Sequence, residues 1–254
     1  TFGDGEANNL AYTISLSRDN TRINPIFPTG GSSFNISAKF TPPYSVFTGQ
    51  DFSNLENLPE FQDNNGNPLI ALIDQEKFKW LEFYKVKFNG TWYTKIFADL
   101  ILKTQADFGF IGAYNQSRGN IPFERFFLGG DGMVNYALDG RENIALRGYP
   151  NQSLSSRDGS VIYNKFSLEL RYPITLKPSA SIYALTFLEA GNGYDSFRTF
   201  DPFNSKRSAG AGVRIFMPAF GLLGIDFGYG FDNTNPNTFT PNGWETHFVI
   251  GQRF

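Results

Sequence analysis

The strongest constraint in this sequence is a period-two alternation of side chains that recurs along its length. In an extended strand, successive side chains point to opposite faces, so residues i, i+2 and i+4 share one face. One run shows the pattern clearly, with four apolar side chains alternating with four polar ones: Phe166, Leu168, Leu170 and Tyr172 against Lys165, Ser167, Glu169 and Arg171. Each such run predicts a strand with one apolar face and one polar face.

Comparable runs predict about nine strands, most of them about ten residues long. Besides 162–172, they lie near residues 10–17, 34–41, 83–92, 98–110, 180–192, 206–217, 222–232 and 243–254. At about 3.3 Å per residue and a tilt near 45°, such a strand spans roughly 23 Å, which matches an outer-membrane hydrocarbon layer. We therefore predict an all-β fold, a transmembrane antiparallel β-barrel.

A soluble β-sandwich is the alternative fold, because alternation by itself also fits a sandwich. Two features favour the barrel. Charged residues recur on the polar face of strand after strand, and aromatic residues concentrate toward the strand ends, as in the interfacial girdle of a barrel.

Composition narrows the class of protein further. No window approaches the roughly 18 continuous apolar residues of a membrane-spanning helix. Mean hydropathy is mildly negative although 17% of the residues are aromatic. A barrel explains this combination, because lumen-facing polar residues cancel lipid-facing apolar ones in the average. With a net charge of −2 and scattered Lys and Arg, the sequence has no basic patch for nucleic acid.

The sequence offers little for enzymatic chemistry. It has no Cys and a single His, His247, so a His-based triad, a two-His metal site and a Cys-ligated metal are all excluded. Four inward carboxylates, Asp99, Asp107, Glu169 and Glu189, are interpreted as solvated wall charges rather than acid–base pairs. We predict that the chain is not an enzyme and needs no metal or other cofactor.

The connections between predicted strands alternate in length, as periplasmic turns alternate with external loops in barrels. Short connections lie near 172–179 and 218–221, and long ones at 42–76, 114–160, 194–205 and 233–242. In the first long loop, 68–82 predicts a short amphipathic helix, with an extended hairpin as the alternative. Because bacterial single-chain barrels have an even number of strands, nine implies that further strands precede Thr1 or come from another chain.

One long loop carries a family resemblance. Residues 122–130 read PFERFFLGG and residues 146–150 read LRGYP. In this order and spacing, they resemble the start and the signature of the sixth external loop in the BamA superfamily, although Leu146 stands where Val is usual. The resemblance implies that residues 114–160 fold back into the lumen, where Arg147, followed by Gly148 and Tyr149, contacts a carboxylate of the inner wall.

Two further segments resemble motifs of the same family. The wall motif F-x-D-x-G corresponds to Phe187, Glu189 and Gly191, and Glu189 replaces the usual Asp while still being able to accept a bidentate guanidinium pair. The terminal strand 243–254 is similar to the outer-membrane sorting signal, which it matches at Phe248, Ile250 and Phe254. In the family, this strand forms a weak seam with the first strand, and Gly251 suits weak pairing.

Along most of its length, the chain resembles strands eight to sixteen of that family's sixteen-stranded barrel. This implies a multi-pass protein of the bacterial outer membrane that inserts nascent outer-membrane proteins through its lateral seam. The partners implied are BAM accessory lipoproteins, the lipid bilayer, lipopolysaccharide and the N-terminal half of the same barrel. POTRA domains and the first strands are expected to lie outside this chain. Two alternatives stay open, a two-partner secretion transporter of the same superfamily and a passive porin or surface protein.

Overall fold

The structure is a single open antiparallel sheet with long loops at one end. It is a computed structural model that describes residues 6–21, 24, 26–49, 51–132, 141–177, 179–234 and 239–251. The nine long strands are β1 (Tyr12–Asp19), β2 (Gly31–Phe40), β3 (Tyr84–Phe97), β4 (Leu100–Gly112), β7 (Ile162–Lys177), β8 (Ala180–Tyr194), β9 (Lys206–Met217), β10 (Gly221–Gly230) and β11 (Gly243–Ile250). Each pairs with its neighbours in this order, so that among the described residues β1 and β11 are the edges.

The sheet has the opposite burial pattern from that of a soluble protein. Along β7, the polar Lys165 and Glu169 are only 9% and 6% exposed, whereas Leu168 and Tyr172 are 43% and 56% exposed. We call the buried polar side the inner face and the exposed apolar side the outer face. An apolar surface of this extent is rare on soluble monomers, so the alternation predicted from the sequence belongs to a membrane barrel and the soluble sandwich is excluded.

One predicted connection is wrong. The sequence suggested a connection over 172–179 that includes Pro173, but β7 continues to Lys177 and β8 begins at Ala180. The register between these strands shifts between Pro173 and Thr175. The residue left without a partner is Ile174, and the interrupted ladder beside such a bulge is a position at which a proline, which has no N–H, is tolerated.

The loop between β2 and β3 contains the predicted helix. Its elements are α1 (Tyr44–Thr48), 3-10 helices at Leu55–Asn57 and Pro59–Phe61, and α2 (Ile70–Phe78). The expected amphipathic character of α2 is wrong, because Ile73 and Phe78 are buried while Ile70 and Leu72 are exposed. Neither α-helix in the described part of the chain is long and apolar enough to cross a membrane.

The loop between β4 and β7 comprises residues 113–161, and its described parts, 113–132 and 141–161, lie against the inner face. It contains two short parallel strands, β5 (Phe126–Leu128) and β6 (Glu142–Ile144). Its fully buried Leu128, Leu146 and Tyr149 belong to the main apolar cluster, together with wall residues such as Tyr163 and Tyr194. The described part of this loop therefore occupies the space that an open pore would need.

A second apolar cluster lies nearer the opposite end of the sheet. Phe27, in the connection between β1 and β2, packs against Tyr183, Leu185 and Phe187 on the inner face of β8. The Phe27 and Tyr183 rings meet edge to face, with centroids 5.3 Å apart. The inner face near Phe187 is thus covered from both ends of the sheet.

Candidate functional site: a loop motif on the inner face

The loop motif Leu146–Pro150 is held in place by the rest of its own loop. The N–H of Gly130 donates to the Leu146 carbonyl at 3.1 Å. Gly130 has φ +77°, and a Cβ at this position would lie 2.8 Å from the Cα of Asn151. Only glycine therefore allows the returning segment to pass this close, which explains the glycine pair that ends PFERFFLGG.

Arg147 is the centre of the site and is 7% exposed. Its Nη2 lies 2.7 Å from Glu189 Oε1 and 2.8 Å from Glu169 Oε1, and its Nη1 lies 3.3 Å from Asp226 Oδ2. The guanidinium carbon is 3.7 Å from the centroid of the Phe187 ring, a stacked cation–π contact. One side chain thus joins the loop to β7, β8 and β10.

Glu189 accepts two hydrogen bonds from Arg147, but not the bidentate guanidinium pair that the sequence allowed. One comes from Nη2, and the other comes from the backbone N–H of Arg147, at 2.8 Å to Oε2. The single guanidinium contact leaves the other N–H groups of the fork for Glu169 and Asp226.

Each of these three carboxylates also pairs with a cationic side chain on a strand of the sheet. Arg171 Nε lies 2.8 Å from Glu169, and Lys165 Nζ lies 3.3 Å from Glu189. Arg214 makes a bidentate pair with Asp226, at 2.7 and 2.6 Å. Buried charges are stable only when paired in this way. In the described residues, no group of His, Asp and Glu is arranged to hold a metal ion.

Gly148 and Tyr149 continue the contact toward the last strand. The Gly148 N–H donates to His247 Nε2 at 2.8 Å, and its carbonyl accepts from Asn242 Nδ2 at 3.0 Å. The Tyr149 hydroxyl donates to the Arg207 carbonyl at 2.6 Å. The three motif residues therefore contact β7, β8, β9, β10 and β11.

Both ionisable groups of the motif keep one charge state near neutral pH. Burial by itself lowers the pKa of Arg147, but Glu189 and Glu169 outweigh it, so the pKa lies above its ordinary value. Burial raises the pKa of the Tyr149 hydroxyl to about 12. The ion pairs of Arg147 and the hydrogen bond donated by Tyr149 are therefore insensitive to pH in the physiological range.

The remaining residues singled out in the sequence lie in different places. Gly191 packs beneath the loop, since a Cβ there would lie 3.3 Å from Leu146 Cδ1. Phe248 and Ile250 are 55% and 69% exposed on the outer face. Gly251 follows β11 with φ +83° and donates to the Leu222 carbonyl at 2.9 Å. Phe254 lies outside the described residues.

The expectation that the inward carboxylates are solvated is wrong for three of four residues. Glu169 and Glu189 are buried in the Arg147 network, and Asp107 is buried where Asn89 and Gln105 donate to it. Asp99 lies instead in the turn after β3, with its side chain 71% exposed. The loop covers Glu169 and Glu189 through Arg147, whereas Asp107 is covered by its neighbours on β3 and β4.

Sequence reasoning missed several residues of the site. Asp226 pairs with Arg147, and Arg214 pairs with Asp226. His247 and Asn242 bind Gly148. The one available signal was that the first three occupy polar positions in runs of alternating apolar and polar residues, on the consecutive strands β9, β10 and β11. That signal also fits many other wall residues, so only the path of the loop selects these.

A second buried ion pair joins the two long loops. Glu82 is fully buried, 3.0 Å from Arg118 Nη1, and it accepts hydrogen bonds from the backbone and hydroxyl of Ser45. Arg118 also donates to the Lys77 and Trp80 carbonyls. This contact fastens the β2–β3 loop onto the start of the 113–161 loop.

Replacing Arg118 by alanine is expected to loosen the β2–β3 loop by about 3–5 kcal/mol locally, because Glu82 stays buried without its cation. Limited proteolysis of the full-length protein should then cleave within 42–76 faster, while the thermal stability of the barrel stays unchanged. Arg198→Ala, at an exposed position in the β8–β9 loop, is the control. Unaltered cleavage of the Arg118→Ala protein would disprove the role of this ion pair.

The fold and this site together define a class of protein. An antiparallel sheet with an apolar outer face, a charged inner face and a loop seated on that inner face is part of the wall of a transmembrane β-barrel. The Omp85 superfamily domain matches residues 3–254, and the chain belongs to this superfamily.

Solved structures agree on the fold. Among 61 matching chains is BamA from Haemophilus ducreyi lacking POTRA domains 1–3, with a TM-score of 0.59 and 16% sequence identity. The match covers 95% of this chain and 42% of that chain, so this chain spans less than half the length of that BamA. A search of curated proteins gave no match.

Proposed function

We propose that this chain forms strands eight to sixteen of a barrel in the bacterial outer membrane that assembles and inserts other β-barrel proteins there. The observation that carries the proposal is the seating of Arg147 among the carboxylates of β7, β8 and β10, in a loop that also reaches the edge strand β11. Membership of the Omp85 superfamily supports it. Neither a cofactor nor covalent catalysis is part of the proposed mechanism.

The seam mechanism follows from the chemistry of an edge strand in lipid. In hydrocarbon, each unpaired backbone N–H or C=O group costs several kcal/mol. No described strand covers the outer edge of β11. In the proposed barrel, this edge pairs with the first strand, and when that seam parts it pairs with a strand of an incoming protein by β-augmentation.

The seated loop favours this function over that of a passive porin. A porin keeps a water-filled channel, whereas here the apolar cluster of the loop fills the space beside the inner face. A secretion transporter of the same superfamily would have to move the loop aside to pass its substrate. The nascent outer-membrane protein, accessory lipoproteins, the bilayer with its lipopolysaccharide and the N-terminal half of the barrel are the proposed partners.

The test is to lock the seam in the full-length protein reconstituted in lipid vesicles. A cysteine at Ile250 and a second on the first strand of the barrel should form a disulfide, since the chain has no cysteine of its own. We expect oxidation to abolish insertion of a labelled, unfolded outer-membrane protein and reduction to restore it.

The control pair is Leu168→Cys with Leu188→Cys, which lie opposite each other within the fixed β7–β8 ladder. Its oxidation should leave insertion unchanged. Full insertion activity with the Ile250 seam locked would overturn the proposal, and export of a substrate through the locked barrel would favour the secretion transporter.

A further inference from the structure

The terminal strand holds the loop motif through side chains that take no part in the strand ladder. His247 is 4% exposed on the inner face of β11, and Asn242 directly precedes that strand. They bind the N–H and the carbonyl of Gly148, at 2.8 and 3.0 Å. Both backbone polar groups of Gly148 are thus satisfied by His247 of the last strand and by Asn242 just before it, independently of β10–β11 pairing.

The surface of β10 is shaped to allow this contact. A Cβ at Gly228 would lie 2.7 Å from the Gly148 nitrogen, and a Cβ at Gly230 would lie 3.0 Å from the Tyr149 ring. Since any side chain at these two inner positions would lift the loop, the glycines form a groove through which Gly148 reaches His247.

We propose that His247 and Asn242 are positioning residues that couple the seated loop to the terminal strand, so that the strand shifts when the loop leaves. This inference rests on the proposed function, in which β11 is the strand that moves. The loop has two arrangements, seated on the inner face or released from it. The terminal strand responds to the change between them through its hydrogen bonds to Gly148.

The hydrogen bond from Gly148 to His247 requires a neutral imidazole. Nε2 can accept the Gly148 N–H only when it carries no proton, whereas both nitrogens of a protonated imidazole are donors. Protonation of His247 should therefore release Gly148 from the strand while leaving the β10–β11 ladder intact.

Other charged groups near the imidazole must be controlled for. His247 lines a cavity of 160 Å³, and the charged groups belong to the elements around this cavity and to the strand of His247 itself. They are Asp131 and Arg147 of the loop, Lys103 of β4, Lys165 and Glu169 of β7, Glu189 of β8, Arg214 of β9, Asp226 of β10 and Glu245 of β11. A variant that alters only residue 247 leaves this entire set in place, so its pH response isolates the histidine.

The experiment is hydrogen–deuterium exchange of the full-length protein in lipid nanodiscs, corrected for intrinsic exchange, at pH 8 and pH 5. His247→Leu removes the acceptor, and at pH 8 it should speed exchange in both 141–150 and 243–251 about tenfold, the effect of losing one buried hydrogen bond. The wild-type protein should exchange faster at pH 5 than at pH 8 in the same two segments.

His247→Gln provides the matched control, because its amide oxygen can accept near the Nε2 position and does not titrate. It should keep slow exchange at both pH values. Thr246→Val, at an exposed position of the same strand, should behave as wild type.

Either of two results would overturn the coupling. One is a His247→Gln protein that follows the wild-type pH dependence, and the other is a His247→Leu protein whose loop exchanges faster while 243–251 is unaffected. Because exchange is measured without an inserted substrate, a failed seam-lock experiment would refute the proposed function without changing this result.

Discussion

Replacing Arg147 by alanine is expected to release the 113–161 loop from the inner face and to lower the free energy of unfolding by about 3 kcal/mol. Breaking a buried ion pair costs about 3–5 kcal/mol, because a buried charge is left uncompensated. The lower end applies here, since Glu169, Glu189 and Asp226 each retain a second cation. The heat-dependent gel mobility of the full-length protein and proteolysis of the loop both measure this change.

Two companion variants separate shape from charge. Arg147→Lys keeps the charge, but an ammonium on a flexible stem cannot reproduce the planar fork that meets three carboxylates, so an intermediate loss is expected. Arg157→Ala removes an exposed cation from the same loop and should leave stability unchanged. If the Arg147→Ala protein melted and was cleaved as wild type, the ion pairs would not be what holds the loop.

Gly148→Ala is expected to prevent the motif from seating, at a cost of about 2–5 kcal/mol. A left-handed φ of +84° costs a residue with a Cβ about 1–2 kcal/mol. The added Cβ would also lie 2.8 Å from Ser208 Cβ and 3.0 Å from the Gly230 nitrogen. Overpacking of this kind typically adds about 1–3 kcal/mol. The same melting and proteolysis measurements apply.

Gly119→Ala is the matched control for this substitution. Gly119 lies in the same loop with φ +79°, and a Cβ there would meet nothing within 4 Å. Its replacement should therefore cost only the backbone strain, about 1–2 kcal/mol. Equal losses for the two variants would mean that the close approach of Gly148 to β9 and β10 contributes nothing.

The strands and their faces could be predicted because strand geometry is local. A side chain two positions along always returns to the same face, so Phe166 and Glu169 could be assigned to opposite sides from sequence alone. Pro173 was misread for the same local reason. Proline is a general signal for a turn, and only the offset between β7 and β8 made it part of a bulge.

The site was predictable only where a motif carried it. The sequence singled out Arg147 and Glu189, which the structure places 2.7 Å apart. It could not select Asp226 or His247 from the other polar residues of the inner face. These residues lie 79 and 99 positions from the loop residues that they bind, and their contact depends on the whole path between.

By itself, then, the sequence determined which side chains face lipid and which face inward, because alternation at a period of two follows from the geometry of a single strand. The tertiary structure alone decided which inward charges are solvated and which are buried, where Gly148 meets β10 and β11, and which residues tie the loop to the last strand. The reason is that these properties depend on how a loop of about fifty residues folds back over five strands, and no local pattern encodes that path.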